Sequence, residues 1–249
     1  GVKQGSIQMA SIGDGQLGSY SKPWKIFVMY YVWKDAEHMH RVEMGPKWEP
    51  FNRDYLEKTG IRVLATNWEQ GTRHLLAKKK ILSPADLKGI KIRVDQLPLH
   101  AELWRVMGAN PTPLAFPEVY SALQQGVVDA MECPLNWIYT SRFHEHAKFL
   151  IETAHSIYTN VVIINDKFYQ SLSPEFQKIL REAAIEAGKY ETELARKMEQ
   201  EFKEKMEQEG VTFVKVNIEP FRRLVMPLFE KYMDQWGREV YDVIMEGEK

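Results

Sequence analysis

The chain has 249 residues, 33 Lys plus Arg against 34 Asp plus Glu, and 44% hydrophobic residues. Its net charge of −1 offers no global field for nucleic acid or an anionic membrane, and no apolar run approaches the ~18–20 residues that span a bilayer. The single cysteine, Cys133, excludes an internal disulfide and any cysteine-cluster metal site, leaving a globular chain of one large domain or two lobes.

Strand and helix signals alternate from the start, which predicts an α/β fold. A strand is expected over Ser6–Ser11, a helix over Pro46–Lys58 and a strand over Ile61–Ala65. Ser83-Pro84 opens a helical turn, with serine as N-cap and proline at the first helical position, and Gly89 closes it. The strand Ile90–Val94 follows, with Ile90, Ile92 and Val94 on one face and Lys91 and Arg93 on the other. A strand in a covered α/β sheet is apolar on both faces. Arg93 breaks that rule at the C-terminal edge, where open α/β sheets bind ligands. From the pattern alone it either snorkels to solvent or meets an anion.

Helices are expected over Leu99–Met107 and Pro117–Gln125, with Phe116 on the loop at the second helix's N-terminus, a natural place for an anion. The strand Val127–Met131 puts Glu132, Cys133 and Pro134 just beyond its C-terminal edge, with Asn136 and Trp137 nearby. A strand over Val161–Asn165 precedes a helix capped by Ser173, carrying Pro174 at its first position and ended by Gly210. Within it Phe176, Leu180, Ala183, Ala187, Tyr190, Leu194, Met198, Phe202 and Met206 step by three or four residues and mark one apolar face. A helix of about 50 Å either crosses between two lobes or forms a coiled-coil or dimer contact. A strand over Val211–Val216 and a helix over Arg222–Glu246, broken near Pro227 and Gly237, complete the chain.

His38 and His40, and His144 and His146, share the i, i+2 spacing, but no third ligand completes a zinc site, and Lys148 stands where the zinc-protease motif needs its second histidine. Trp33, Trp68 and Trp137 fall near strand ends and could line an apolar pocket; the remaining tryptophans read as core. Lys78-Lys79-Lys80 reads as a solvated turn. No phosphate loop, dinucleotide fingerprint or nucleophile elbow is present, so no cofactor is expected and the chain shows no evident catalytic apparatus.

The motifs Gly71-Thr72-Arg73, Pro84 to Val94, Met107 to Pro113 and Glu118 to Pro134, with Asp35-Ala36-Glu37-His38 before them and Thr153-Ala154-His155, Val161 to Asn165 and Leu172-Ser173-Pro174-Glu175 after, resemble the solute-binding receptors of TRAP (tripartite ATP-independent periplasmic) transporters. The resemblance runs over nearly the whole chain. It implies a two-lobed periplasmic-binding-protein-like fold, with a ligand cleft between lobes and a long helix spanning both. Lobe one would take residues 1–70 and 160–195, and lobe two residues 71–159 and 196–249. By comparison with that family the first strand–helix–strand unit, ~30 residues or more, is expected to be absent from this chain.

The resemblance also implies that Arg93 clamps a ligand carboxylate, that Arg73 adds a second contact, and that Phe116 packs on the ligand or in the core. Where relatives place a ligand-contacting asparagine, this chain has Cys133, a weak donor, so Glu132, Asn136 and Trp137 join it as candidates. The implied function is a periplasmic receptor that closes on a small organic acid and delivers it to integral membrane carrier subunits, as a monomer or a dimer. The rival readings are an enzyme acting on small carboxylates and a sensory binding protein without transport.

Overall fold

The computed structural model describes residues 1–247. Its strands are β1 (Met9–Gly13), β2 (Ile61–Ala77), β3 (Lys91–Val94), β4 (Asn110–Pro113), β5 (Ala130–Pro134), β6 (Phe149–Asn165) and β7 (Thr212–Lys215). They form one sheet in the order β1-β6-β2-β5-β3-β4, with β7 parallel to β6. The helices are α1 (Ala36–Glu43), α2 (Glu49–Thr59), α3 (Pro98–Val106), α4 (Val119–Gln124), α5 (Leu135–Thr140), α6 (Asp166–Ser171), α7 (Pro174–Gln208), α8 (Glu219–Trp236) and α9 (Arg238–Gly247).

Two strands hold the molecule together. β2 and β6 each run for 17 residues, about 56 Å at ~3.3 Å per residue, and pair antiparallel through four register shifts. β1 borders one end of β6, whereas β5 pairs with β2 only from Arg73 to Ala77 at the other end. The sheet is thereby divided into two lobes that share β2 and β6. Only the apolar ends of these strands were expected. The stretch Thr66-Asn67-Trp68-Glu69-Gln70 carries no alternating apolar pattern because α7 satisfies it side chain by side chain. Trp68 Nε1 donates to Ala184 O (2.9 Å), Asn67 Nδ2 to Ile185 O (2.9 Å), and Arg196 Nη2 to Glu69 Oε2 (2.7 Å).

Ser173 caps α7 by accepting from Phe176 N–H, as expected, and its 35 residues span both lobes. Its buried face follows the expected stripe only at its C-terminal end, at Phe202 and Met206. Ala184, Gly188, Ala195, Phe202 and Met206 are buried, while Phe176 (59%), Tyr190 (69%) and Leu194 (42%) are exposed. Small residues let the helix press onto β2: a Cβ on Gly188 would stand 2.6 Å from Trp68 Cδ1. Close approach rather than side-chain size selects the packed face.

Other elements shift by a few residues. α2 begins at Glu49, and Phe116–Glu118 forms a 3-10 turn before a shorter α4. β5 starts three residues later than expected, so Glu132 and Cys133 lie inside the strand rather than beyond it. β4, with two prolines, is tolerated at the sheet's edge. Pro227 sits within α8, and the break before α9 falls at Gly237, whose φ of 97° only glycine adopts readily. α9 then returns to α1, where His38 Nε2 meets Ile244 O at 2.9 Å. The C-terminal segment, expected with lobe two, thus ends against residues assigned to lobe one.

Candidate functional site

A cavity of about 300 Å³ opens between the lobes, bounded by Asp14–Gln16 and Phe27–Val28 on one wall and by residues of β2, β3, β5 and α5 on the other. Arg73, Arg93, Phe116, Cys133 and Trp137 all line it. Residues separated by more than 60 positions in sequence are gathered there because β2, β3 and β5 are neighbours in the sheet.

The two arginines are held differently. On β3, Arg93 is 4% exposed and donates through Nε and Nη2 to the Leu114 carbonyl, at 3.0 and 2.8 Å. Among the described residues it has no ion-pair partner. Burial works against its charge and lowers its pKa from the ordinary value. Its guanidinium lies 5.9 Å from the centre of the Phe116 ring. On β2, Arg73 forks onto Glu132, with Nε 2.6 Å from Oε2 and Nη2 2.7 Å from Oε1, and its guanidinium lies 5.1 Å from the Tyr158 ring centre.

Glu132 is fully buried and does not face the cavity. Burial opposes its charge, but Arg73 and a hydrogen bond from His155 hold its carboxyl well below the usual range. His155 Nε2 donates to Glu132 Oε2 (3.1 Å), and Nδ1 lies 2.8 Å from Thr153 Oγ1; burial keeps the imidazole neutral by lowering its pKa. Glu132 therefore positions Arg73 instead of meeting a ligand as expected. The strand alternation that turns Cys133 toward the cavity turns Glu132 away from it.

Asn136 is also outside the cavity lining. Its Nδ2 reaches Gln70 O and Ala195 O, both at 3.4 Å, and so ties α5 to β2 and α7. Cys133 is 4% exposed, and burial pushes its thiol up to about 12, so it presents a neutral S–H. Trp137 meets Phe116 edge-on at 5.4 Å, and Phe116 meets Phe143 at the same distance, so Phe116 belongs to both the core and the cavity wall. Of the other tryptophans, Trp68 is bound to α7, and Trp33 packs between His38 and Phe27 without lining this cavity itself.

Several lining residues were not anticipated. Asp14, 4% exposed, accepts from Thr159 Oγ1 at 3.1 Å, and burial raises its pKa to about 7. Asp95 pairs with His100 (Oδ1 to Nδ1, 2.7 Å), and His100 holds its carboxyl below the usual range although burial opposes this. Tyr158 stands beside Arg73. Asp95 follows directly on the predicted strand Ile90–Val94, the same edge argument that singled out Arg93, whereas Asp14 follows β1 only as the structure bounds it, the strand ending at Gly13 rather than at Ser11.

One histidine of each pair serves a structural contact: His38 bonds Ile244 O, and His144 Nε2 pairs with Glu209 at 2.7 Å, whereas the buried Nε2 atoms of His40 and His146 have no hydrogen-bond partner among the described residues. Among the described residues no group of three or more His, Cys, Asp or Glu side chains is arranged to hold a metal ion. No described helix is long and apolar enough to cross a membrane.

Comparison with known proteins agrees with this architecture. The 2,3-diketo-L-gulonate-binding periplasmic protein YiaO of Escherichia coli is 34% identical over 215 residues, covering 86% of this chain and 65% of that protein. The sialic acid-binding periplasmic protein SiaP of Vibrio cholerae is 30% identical over 248 residues, covering 96% of this chain and 77% of its own length. A TRAP periplasmic solute-binding protein from Xanthobacter autotrophicus, solved with bound β-D-galacturonate, superposes with a TM-score of 0.91 at 29% identity, covering 99% of this chain and 81% of that one. The chain spans about two thirds of the length of the E. coli relative (65%). The model of the bacterial extracellular solute-binding protein family 7, DctP, matches residues 1–235, and with the two-lobed sheet and its interlobe cavity this places the chain in that family of TRAP solute-binding proteins.

Proposed function

We propose that the interlobe cavity captures a small organic acid, whose carboxylate Arg93 clamps, and that the closed receptor hands this ligand to integral membrane carrier subunits of a TRAP transporter. The observation that carries the reading is a buried guanidinium without a counter-ion. Arg73 is neutralised by Glu132 in a direct ion pair, whereas among the described residues Arg93 has no ion pair: it bonds the Leu114 carbonyl, and Glu132 and Asp95 act on it only at longer range. A buried unpaired charge is costly and favours an anionic partner. Guanidinium also matches carboxylate with two parallel hydrogen bonds.

Arg73 supplies a second, weaker contact, and Phe116 and Trp137 form an apolar wall against the ligand's carbon skeleton. Cys133 takes the place beside the acid group. Division of the chain near residues 70, 160 and 195 puts β2, β6 and α7 at the hinge, and a ligand touching both walls favours the closed state. Relatives carry names that place them in the periplasm, and we assign this chain to the same compartment. We further propose that it binds without turning its ligand over.

Calorimetric titration with succinate, D-glucuronate, 2,3-diketo-L-gulonate and N-acetylneuraminate tests the reading. Saturable binding of at least one acid, lost on Arg93→Ala and with the acid recovered unchanged by mass spectrometry, supports it. Binding indifferent to Arg93→Ala refutes the clamp, and a chemically altered acid refutes the receptor in favour of an enzyme.

A further inference from the structure

A further cavity lies away from the interlobe one. It is about 460 Å³, within the ~300–1,000 Å³ span of small-molecule sites, and lies between α2, the end of β2 at residues 62–66, and α7. β2 has no strand partner on that side, because β5 joins it only from Arg73 onward.

Two features mark this cavity as built to hold something. The first lies at its floor. Glu43, the last residue of α1, is 2% exposed, and neither carboxylate oxygen has a hydrogen-bond partner. Burial and the nearby Asp14 push its pKa well above the usual carboxylate range, so it is a neutral acid with one O–H to donate. Asn52 Oδ1 beside it is also buried and unpartnered. Buried polar groups are nearly always paired, so this floor calls for a donor and an acceptor from a third party.

The second feature is at the rim. Arg53 on α2 and Arg181 on α7 line the cavity from facing helices, and among the described residues neither has an ion-pair partner. Arg62, by contrast, is taken by Asp166 at 2.7 Å, and the one acid at the rim, Glu49, is exposed and accepts from Asn52 Nδ2 at 3.4 Å. Two free guanidiniums match a phosphate monoester, which carries about −1.5 to −2 charges at neutral pH and accepts hydrogen bonds from several directions.

We propose that this cavity is a second ligand site, separate from the interlobe one, that takes a hydroxylated organic phosphate of hexose-phosphate size, with the phosphate between Arg53 and Arg181 and hydroxyls on Glu43 and Asn52. The site draws nothing from Arg93 or Arg73, so it stands whether or not the acid clamp does.

Glucose 6-phosphate is the probe. In the full chain carrying Arg93→Ala, calorimetry should show saturable binding tighter than about 1 mM. Adding Arg53→Ala and Arg181→Ala should weaken it at least about tenfold without moving the melting temperature, since both side chains are exposed and unpaired. Glucose should bind far more weakly than its phosphate. In the wild-type chain, hydrogen exchange should slow within α2 and around Arg181 on adding the probe, a readout that survives if Arg93→Ala fails to fold. Absence of saturable binding, or affinity unchanged by loss of both arginines, or protection confined to the interlobe cavity, overturns the proposal and leaves ordered water as the partner of Glu43.

Discussion

Arg73 and Arg93 line one cavity from adjacent parts of one sheet, yet their surroundings have opposite chemistry. Around Arg73 every charge is answered: Glu132 takes both forks of the guanidinium, His155 bonds the same carboxylate, and Thr153 orients His155. Around Arg93 the direct hydrogen bonds go to the Leu114 carbonyl, with Glu132 and Asp95 acting only at longer range. The first arrangement belongs to the folded protein itself and needs no ligand. The second is left incomplete inside a wall of Phe116, Cys133 and Trp137. A buried arginine is therefore not one kind of signal. Its partner decides whether it supports the structure or meets a ligand.

The largest effect should come from breaking the self-contained half. Glu132→Ala strands the Arg73 charge in the interior, and should cost about 3–5 kcal/mol of stability. Urea unfolding measures this; a loss below about 1 kcal/mol would mean that Arg73 is solvated or otherwise paired.

Arg93→Lys should do the reverse, weakening acid binding by about 2–5 kcal/mol, thirtyfold or more, while leaving the unfolding free energy nearly unchanged. Calorimetry beside denaturation separates the two. Near-wild-type affinity would erase the distinction between the arginines.

Asp14 offers a test by pH. Its folded-state pKa of about 7 lies above the ordinary 3.8, so between these values the folded protein keeps a proton that the unfolded chain has released. Stability from this group is thus fully present below about pH 4, falls as pH rises toward 7 and levels off above it. Glu132 has the opposite sign: its depressed pKa gives stability above the unfolded value that is lost only as pH falls well into the acid range. Asp14→Asn should remove about 2–4 kcal/mol of the decline between these limits. Denaturation curves with parallel pH slopes for variant and wild type would show that Asp14 is solvated in the cleft.

Cys133→Asn should have the smallest effect, shifting preference toward hydroxylated acids by about 1–3 kcal/mol if the new carboxamide pairs with the ligand. Thiol labelling gives the companion measurement. Equal reactivity with and without ligand, together with an unchanged ligand ranking in the variant, would make Cys133 a core thiol and no more.

Much of this architecture was legible in the residues. The Ser173 cap and Pro174 located the start of α7, the apolar faces of Ile90–Val94 located β3, and Arg93 stood out as a charge on a strand that should have none. These are local signals, carried by dihedral preference, capping and period. The ordered motifs from Gly71 to Pro134 likewise pointed to a TRAP receptor, and the family match over residues 1–235 agrees. What local signals could not carry was which groups meet across the fold. Glu132 looked like a ligand contact because it follows an apolar run, but the register of β5 against β2 sets it opposite Leu75 and within reach of Arg73.

The face that α7 buries was hidden for the same reason. Phe202 and Met206 of the obvious stripe are buried, but further toward the N-terminus Trp68 packs tightly against Gly188, so there the helix turns small residues inward and leaves Phe176 and Tyr190 exposed. The polar middle of β2 was unreadable as strand because its partners lie more than 100 positions away on α7. By itself the sequence determined element types, caps and the chemistry available at strand ends, all governed by neighbours a few residues apart. Only the tertiary structure decided which charges are neutralised and which are left facing a cavity, because pairing depends on distances across the sheet that no local pattern encodes.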